Sequence, residues 1–454
     1  MPDRLYNPQH QQHPKVLYTF YGDDFTGSTD VLESLALAGV ESVLFLRPPT
    51  PRHRAAFSHC HAIGIAGDSR SRTPEWMTTH LPRIFTTLKS FQAPITHYKT
   101  CSTFDSSPTR GSIGRAIEIG RNLFAPNFVP IVVPAPHLGR YVLFGKLYAT
   151  ADGELYRIDL HPTMSRHPVT PMTEPDLRRH LAAQTDLTIG LLDLHDLAAP
   201  DPAVALASIL QSGAQAILFD GVDAASTAIT GKLLWAQATQ KPLFAAGSSG
   251  LTESLVAEWI SYRLIPPPPA PLLPQPVDKV LVISGSCSPV TAAQINWALN
   301  NGFTGVPLDP EQLTHPDHAA TAAASAIAQT LTHFAQGRSV ILYTALGPLD
   351  SNTPPHGDQL GTALGSLLRH LLALSPSPIR RIILCGGDTS SHTVQQLGLY
   401  ALTWSASLTP GAPLCQAHSD DPSFRAVEFV LKGGQIGAPD FFALARAGGR
   451  QTTS

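Results

Sequence analysis

The chain has 454 residues, 43% of them hydrophobic and 14% charged, and a net charge of −3. These values describe a globular protein, exclude a mostly disordered one, and lack the basic excess of a nucleic-acid binder. A chain this long exceeds one ordinary core, so about two or three domains are expected.

Residues Met1 to Lys15 are polar and rich in His, Gln and Pro. They lack the apolar stretch of a signal peptide and read as a disordered tail, 1–15. No run approaches the ~18 apolar residues of a membrane span, so a soluble, cytoplasmic protein without membrane or nucleic-acid partners is expected. The five cysteines, Cys60, Cys101, Cys287, Cys385 and Cys415, are widely spaced with no CxxC pair. That pattern favours reduced thiols over a disulfide framework or a zinc site.

From residue 16 onward, short apolar runs alternate with helical patterns. Strands are expected at Val16–Tyr21, Ser42–Leu46, Ala62–Ala66, Ile95–Lys99, Phe128–Val133, Leu187–Leu192, Ala216–Asp220 and Leu243–Ala246. Helices are expected at Ser28–Leu37, Pro74–Leu88, Ile113–Leu123, Pro202–Gln211 and Leu251–Tyr262. A Pro-rich stretch, 265–277, has the composition of a semi-rigid spacer. Beyond it, strands are expected at Lys279–Ser284, Ser339–Thr344, Ile379–Cys385 and Ala426–Lys432, and helices at Pro289–Asn300, Ala319–Ala335, Asp358–Leu372 and Ser391–Leu399. The alternation predicts an α/β protein of two domains, 16–264 and 278–446, each a mostly parallel sheet covered by helices.

The first strand runs into Tyr21-Gly22-Asp23-Asp24-Phe25-Thr26-Gly27, a tight turn that opens a helix. Ligands of open α/β sheets bind at the carboxyl ends of strands, and adjacent carboxylates there raise one another's pKa. Asp68-Ser69-Arg70-Ser71 and Lys99-Thr100-Cys101-Ser102-Thr103-Phe104-Asp105 follow two further strands, and Arg166-His167 lies in a long loop. Cations beside hydroxyls suit a small carboxylated, hydroxylated ligand. Cys101 has no identifiable His or Asn partner and reads as a small buried thiol rather than a nucleophile.

Gly-hydroxyl turns also follow strands at Gly247-Ser248-Ser249-Gly250, Gly285-Ser286-Cys287-Ser288 and Gly386-Gly387-Asp388-Thr389. Glycines allow backbone N–H groups to approach an anion at a helix start. Ser288-Pro289 is equally a helix cap. Lys432-Gly433-Gly434 follows the last strand. No P-loop and no strand-linked GxGxxG is present.

Taken in order, Asp23-Asp24-Phe25-Thr26-Gly27, Lys99 with Cys101 to Ser106, His167 to Met172, Ser284 to Ser288, Gly386 to Ser390, Pro410-Gly411 and Lys432 to Gly437 resemble the four-carbon acid sugar kinase family over nearly the whole chain. The resemblance implies an acid-sugar-binding domain, a nucleotide-binding domain and an active site in the cleft between them. It implies ATP- and Mg²⁺-dependent phosphorylation of a terminal hydroxyl on a 3-oxo-tetronate, threonate or erythronate. Asp24 is then the expected general base and Lys99 a charge stabiliser. Asp23, Thr26, Arg70, Ser102, Thr103, Asp105 and His167 are expected at the sugar. Ser286, Ser288, Gly386, Gly387, Asp388, Thr389 and Gly434 are expected at ATP. Asp388 departs from the Glu of many members. The metal ligands and any homo-oligomeric state stay open. The alternatives are a non-catalytic sugar-acid sensor and a lyase or aldolase using Lys99.

Overall fold

A computed structural model describes residues 15–151, 153–167, 169–268, 273–347 and 357–449. The expected tail up to residue 14 and positions 269–272 of the Pro-rich stretch lie outside the described residues.

The first half contributes β1 (Tyr18–Gly22), β2 (Ser42–Phe45), β3 (Ala62–Ala66), β4 (Ile95–Lys99) and β5 (Val129–Val132). A small antiparallel sheet follows, made of β6 (Arg140–Leu143), β7 (Lys146–Ala151) and β8 (Glu154–Arg157). Then come β9 (Ile189–Leu192), β10 (Ala216–Phe219) and β11 (Leu243–Gly247). The second half adds β12 (Leu281–Ser284), β13 (Thr304–Pro307), β14 (Val340–Tyr343), β15 (Arg381–Cys385), β16 (Leu399–Thr409), β17 (Ala412–Ser419) and β18 (Glu428–Lys432).

The parallel sheet expected in each half is present, and the two are fused. Fifteen strands form one sheet in the order β13-β14-β12-β15-β18-β17-β16-β2-β3-β1-β4-β11-β5-β10-β9. The seam is an antiparallel pairing of β16 with β2, Ala401 opposite Phe45 and Leu402 opposite Leu44. One core layer is likewise continuous, running from Leu32 and Trp259 to Leu281 and Leu431. A parallel strand covered on both faces is apolar throughout. β1 shows this: Tyr18 and Phe20 enter that layer while Tyr21 enters the opposite one, and all three are fully buried.

Several elements differ from the sequence pattern. The helix expected at Ser391–Leu399 runs instead over Gly387–Gln395. A turn at Gly398, with φ +70°, ends it, and Leu399 opens β16. The long β16–β17 hairpin, turning at Pro410-Gly411, and the β6–β8 sheet were not expected. Among the described residues no helix is long and apolar enough to cross a membrane.

Candidate active site

The β1 turn is built by its helix. In α1 (Phe25–Leu37) the residue before the first turn, Asp24, has an extended backbone, and its Oδ1 accepts the Gly27 N–H at 2.5 Å. This is the N-cap arrangement that carboxylates favour, satisfying one of the helix's unpaired donors. Gly27 is required at its position: a Cβ there would come within 2.6 Å of Asp24 Oδ1 and 3.2 Å of Lys99 Nζ. Parallel register sets Gly22 opposite Lys99, and Asp23 N donates to Lys99 O at 3.0 Å. On the other side Arg70 N donates to Asp23 O at 3.1 Å. The ends of β1, β3 and β4 thus bring Asp23, Asp24, Arg70 and Lys99 together.

Arg70 lies at the centre. Its Nη1 donates to Asp24 Oδ2 at 2.7 Å, and its Nη2 donates to both oxygens of Asp105 at 3.0 and 2.8 Å. Thr103 Oγ1 donates to Asp105 Oδ1 at 2.6 Å, and Thr170 Oγ1 reaches Oδ2 at 3.3 Å. Burial by itself would raise the Asp105 pKa, but Arg70 and Thr103 outweigh it and hold the carboxyl at about 2. Lys99 Nζ lies 3.5 Å from Asp30 Oδ2 with a side chain only 3% exposed. Asp23 is 4% exposed, and no hydrogen bond from a described residue reaches its carboxylate. Burial first, and Asp24 second, push its pKa up to about 8 against the pull of Arg70 and Lys99.

Other sugar-side candidates are placed around this cluster. Thr26 Oγ1 donates to Asp24 Oδ2 at 3.3 Å. Ser102 is half-buried in the turn after β4. His167 Nδ1 accepts the Thr170 N–H at 3.1 Å, so a neutral His167 carries its proton on Nε2. Cys101 is half-buried rather than buried, and its Sγ lies 2.9 Å from Thr103 Oγ1. Two contributors escape sequence reading. Thr170 stands in the sequence only as one position of the His167 to Met172 stretch. A fully buried network supports the floor: His97 Nε2 donates to Gly247 O at 3.0 Å, so its Nδ1 accepts from Tyr18 OH at 2.5 Å, which meets Thr252 Oγ1 at 2.9 Å. Burial, chiefly, pushes the His97 pKa down to about 3, which keeps the ring neutral. The only signal was a polar His inside an apolar strand.

In the second half, the turns after β12, β15 and β18 meet. A Cβ on Gly434 would lie 3.0 Å from Ser286 Oγ and from Ser288 Cβ; one on Gly386 would lie 3.4 Å from Ser286. One on Gly285 would come within 2.5 Å of Thr389. Gly386, with φ +108°, starts the Gly387–Gln395 helix without any side-chain cap. Its first N–H groups thus meet no capping side chain among the described residues, the usual setting for a phosphate. Ser390 Oγ in that first turn is buried and finds no hydrogen-bond partner among the described residues. Ser288 Oγ caps the Pro289–Asn300 helix through Val290 N at 3.2 Å. The Asp388 side chain lies outside the description. The Gly-rich loop after β18 is held from behind by residues absent from the sequence-level site. Thr291 Oγ1 donates to Gly434 O at 2.9 Å, Gln294 Nε2 donates to Ile436 O and Gly437 O at 2.9 and 2.8 Å, and buried Lys432 Nζ donates to Gly433 O at 2.9 Å.

Comparison with known proteins supports this division. Residues 18–255 match a sugar-binding N-terminal domain and residues 281–442 a nucleotide-binding C-terminal domain. The 3-oxo-isoapionate kinase of Paraburkholderia graminis is 44% identical over 450 residues, covering 95% of this chain and 94% of that protein. The 3-oxo-tetronate kinase of Pseudomonas fluorescens is 28% identical over 95% of this chain and 97% of its own length. Solved chains from Salmonella typhimurium LT2 and Haemophilus influenzae share the fold, with TM-scores of 0.74 and 0.68. Each is 24% identical and spans 94% of this chain and 98% of its own. The chain is therefore a carbohydrate kinase and belongs to the four-carbon acid sugar kinase family.

Proposed function

We propose that the chain transfers the γ-phosphoryl group of ATP to a terminal hydroxyl of a small oxo-acid sugar of the 3-oxo-isoapionate or 3-oxo-tetronate type. The observation that carries this reading is the 44% identity to a 3-oxo-isoapionate kinase over 95% of the chain. ATP is bound in this reading by the interlocked turns around Ser286, Ser288, Gly386, Gly387, Asp388, Thr389 and Gly434. The sugar lies over the β1, β3 and β4 ends, between the two halves. Lys99 and Arg70 face its anionic end, with Thr26, Ser102, Thr103, Asp105 and His167 around them. One aspartate of the Asp23-Asp24 pair takes the hydroxyl proton. Phosphoryl transfer depends chiefly on positioning and charge stabilisation, which these cations and the uncapped helix supply.

Among the described residues no three His, Cys, Asp or Glu side chains gather as a metal site. In this reading Mg²⁺ arrives on the phosphates of ATP, and no residue is assigned to it. A sensor or Schiff-base lyase has no counterpart among the kinase relatives.

The test is ADP release measured against a panel of 3-oxo-isoapionate, 3-oxo-tetronates, threonates and erythronates. ADP formation is expected with the oxo acids, with the branched 3-oxo-isoapionate favoured. A panel without turnover on any member would overturn the reading.

A further inference from the structure

We propose that Asp23, and not Asp24, is the general base, and that Asp24 is a positioning residue. This rests on the kinase reading above and assigns one role within it.

Asp24 is engaged at both oxygens. Its Oδ1 accepts the Gly27 N–H at 2.5 Å; its Oδ2 accepts Arg70 Nη1 at 2.7 Å and Thr26 Oγ1 at 3.3 Å. A substrate hydroxyl could reach either oxygen only by displacing one of these contacts. Taking a proton would also undo the helix cap and the Arg70 contact together. Asp23 has the opposite circumstances. Its backbone is fixed on both sides, by Lys99 O and by Arg70 N, while its carboxylate accepts no hydrogen bond from a described residue. A base needs such a rigid mount and a free lone pair.

The surroundings explain why a proton can rest there. The charged and titratable groups acting on Asp23 are Asp24, Asp105, Arg70 and Lys99, with the Tyr21 and Tyr98 phenols beside it. Asp30 pairs with Lys99. Four carboxylates, Asp23, Asp24, Asp30 and Asp105, thus share two cations, and the carboxyl without hydrogen bonds holds the proton most readily. Its pKa of about 8 lies close to working pH, where a general base is most effective. In the step itself, the substrate O–H bond breaks and its proton passes to an Asp23 oxygen. The substrate oxygen bonds the γ-phosphorus as the bond to the bridging oxygen of ADP breaks. The proton then leaves Asp23 for solvent, giving phosphorylated acid sugar, ADP and H⁺.

The experiment uses the full-length enzyme, ATP and whichever acid sugar of the panel wild type turns over fastest. Asp23→Asn is expected to lower kcat by roughly 10²-fold or more while ATP binding, read by calorimetry, stays within about twofold. In wild type, kcat/KM should rise with pH through a limb near 8; the limb should vanish in Asp23→Asn and, in Asp24→Asn, remain at a lower rate but move to lower pH, because the Asp24 charge helps to raise it. Melting gives a readout that does not require turnover. A carboxyl whose folded pKa is raised stabilises the fold only while protonated, so wild type loses stability as pH rises through about 8. The Tm of Asp23→Asn minus that of wild type should therefore grow from pH 6 to pH 9. With an active wild type, Asp23→Asn turnover within tenfold of normal, or a pH-independent Tm difference, would overturn the assignment alone. If no acid sugar yields ADP, the kinase-substrate reading falls and the assignment falls with it.

Discussion

Arg70 carries the electrostatics of the sugar-side cluster, because three of its nitrogens are committed to carboxylates on two different turns. Its side chain is 26% exposed and that of Asp105 is fully buried, so solvent screens the pair only weakly. Lys in its place would keep the charge and lose the planar fork that matches Asp105. Arg70→Lys is expected to destabilise the protein by about 2–4 kcal/mol, since breaking a buried pair strands the remaining carboxylate. Urea denaturation at pH 7 would measure it, and a loss below about 0.5 kcal/mol would show that Asp105 is not held by this contact. Asp105 also sets an acid limit. Its folded pKa, about 2, is depressed below the ordinary carboxylate value, so its stabilisation is complete above about pH 4 and is lost as pH falls towards 2. That contribution is about 2–3 kcal/mol. In Asp105→Asn the wild-type fall in Tm between pH 4 and pH 2 should be correspondingly shallower. At the nucleotide side, Gly386 has φ +108° and stands 3.4 Å, at its missing Cβ, from Ser286. Gly386→Ala places a side chain in a conformation it rarely adopts, and ATP affinity is expected to fall at least tenfold by calorimetry. Unchanged affinity would remove this turn from the ATP site.

At the scale of elements, α1 joins the acidic turn to the other half of the molecule. Its N-cap is Asp24, and two turns further on Glu33, 4% exposed, accepts from Ser407 Oγ at 2.7 Å and from Gly411 N at 3.0 Å. Both donors belong to the β16–β17 hairpin or its turn. Glu33→Ala leaves two donors unpaired and is expected to cost about 1–3 kcal/mol, whereas Glu33→Gln, which keeps one acceptor, should recover part of that loss in the same urea titration. Equal stability of the two variants would mean that the hairpin contact contributes nothing. This contact also shows where sequence reading stopped. β1, β3 and β4 were legible because buried parallel strands are short, apolar and β-branched, and the polar turns after them stand out. Asp23, Asp24, Arg70, Lys99 and Asp105 were legible for the same reason: each lies within a few residues of such a strand end. The hairpin was not. Leu399–Thr409 mixes Ala, Ser and Thr among its apolar residues without a clean alternation, and its burial depends on pairing with β2, far earlier in the chain, which no local pattern encodes. Thr291, Gln294 and the His97–Tyr18–Thr252 network escaped likewise, because hydrogen bonds to distant loops leave no periodicity.

On the scale of the whole molecule, the fused sheet raises a problem of direction. Three successive antiparallel pairings, β2–β16, β16–β17 and β17–β18, reverse the strands between the halves, which would put their carboxyl ends on opposite edges of a flat sheet. The sheet cannot be flat. Seven inter-strand steps separate β1 from β12, and at ~20–25° each the accumulated twist is roughly 140–175°. A rotation of that size is enough to offset the reversal. Contacts agree with this: α1 packs on the Gly387–Gln395 helix, and Arg72, just after the Asp68–Arg70 turn, donates from Nη1 to Asp358 Oδ2 at 3.0 Å. Asp358 Oδ1 is in turn 2.9 Å from His392 Nε2 on that same helix. The bridge joins the sugar-side loop to the helix that begins at Gly386. Asp358 is 60% exposed at its side chain, so the pair adds at most about 1 kcal/mol to stability, and its importance is expected in alignment of the two halves. Asp358→Asn should leave Tm within about 2 °C and raise KM for the acid sugar up to roughly fivefold at low ionic strength, the factor that ~1 kcal/mol allows. In 1 M salt, where the screening length is ~3 Å, the two KM values should converge. A KM difference that persisted undiminished in 1 M salt would mean that Asp358 acts through local packing rather than through charge between the halves.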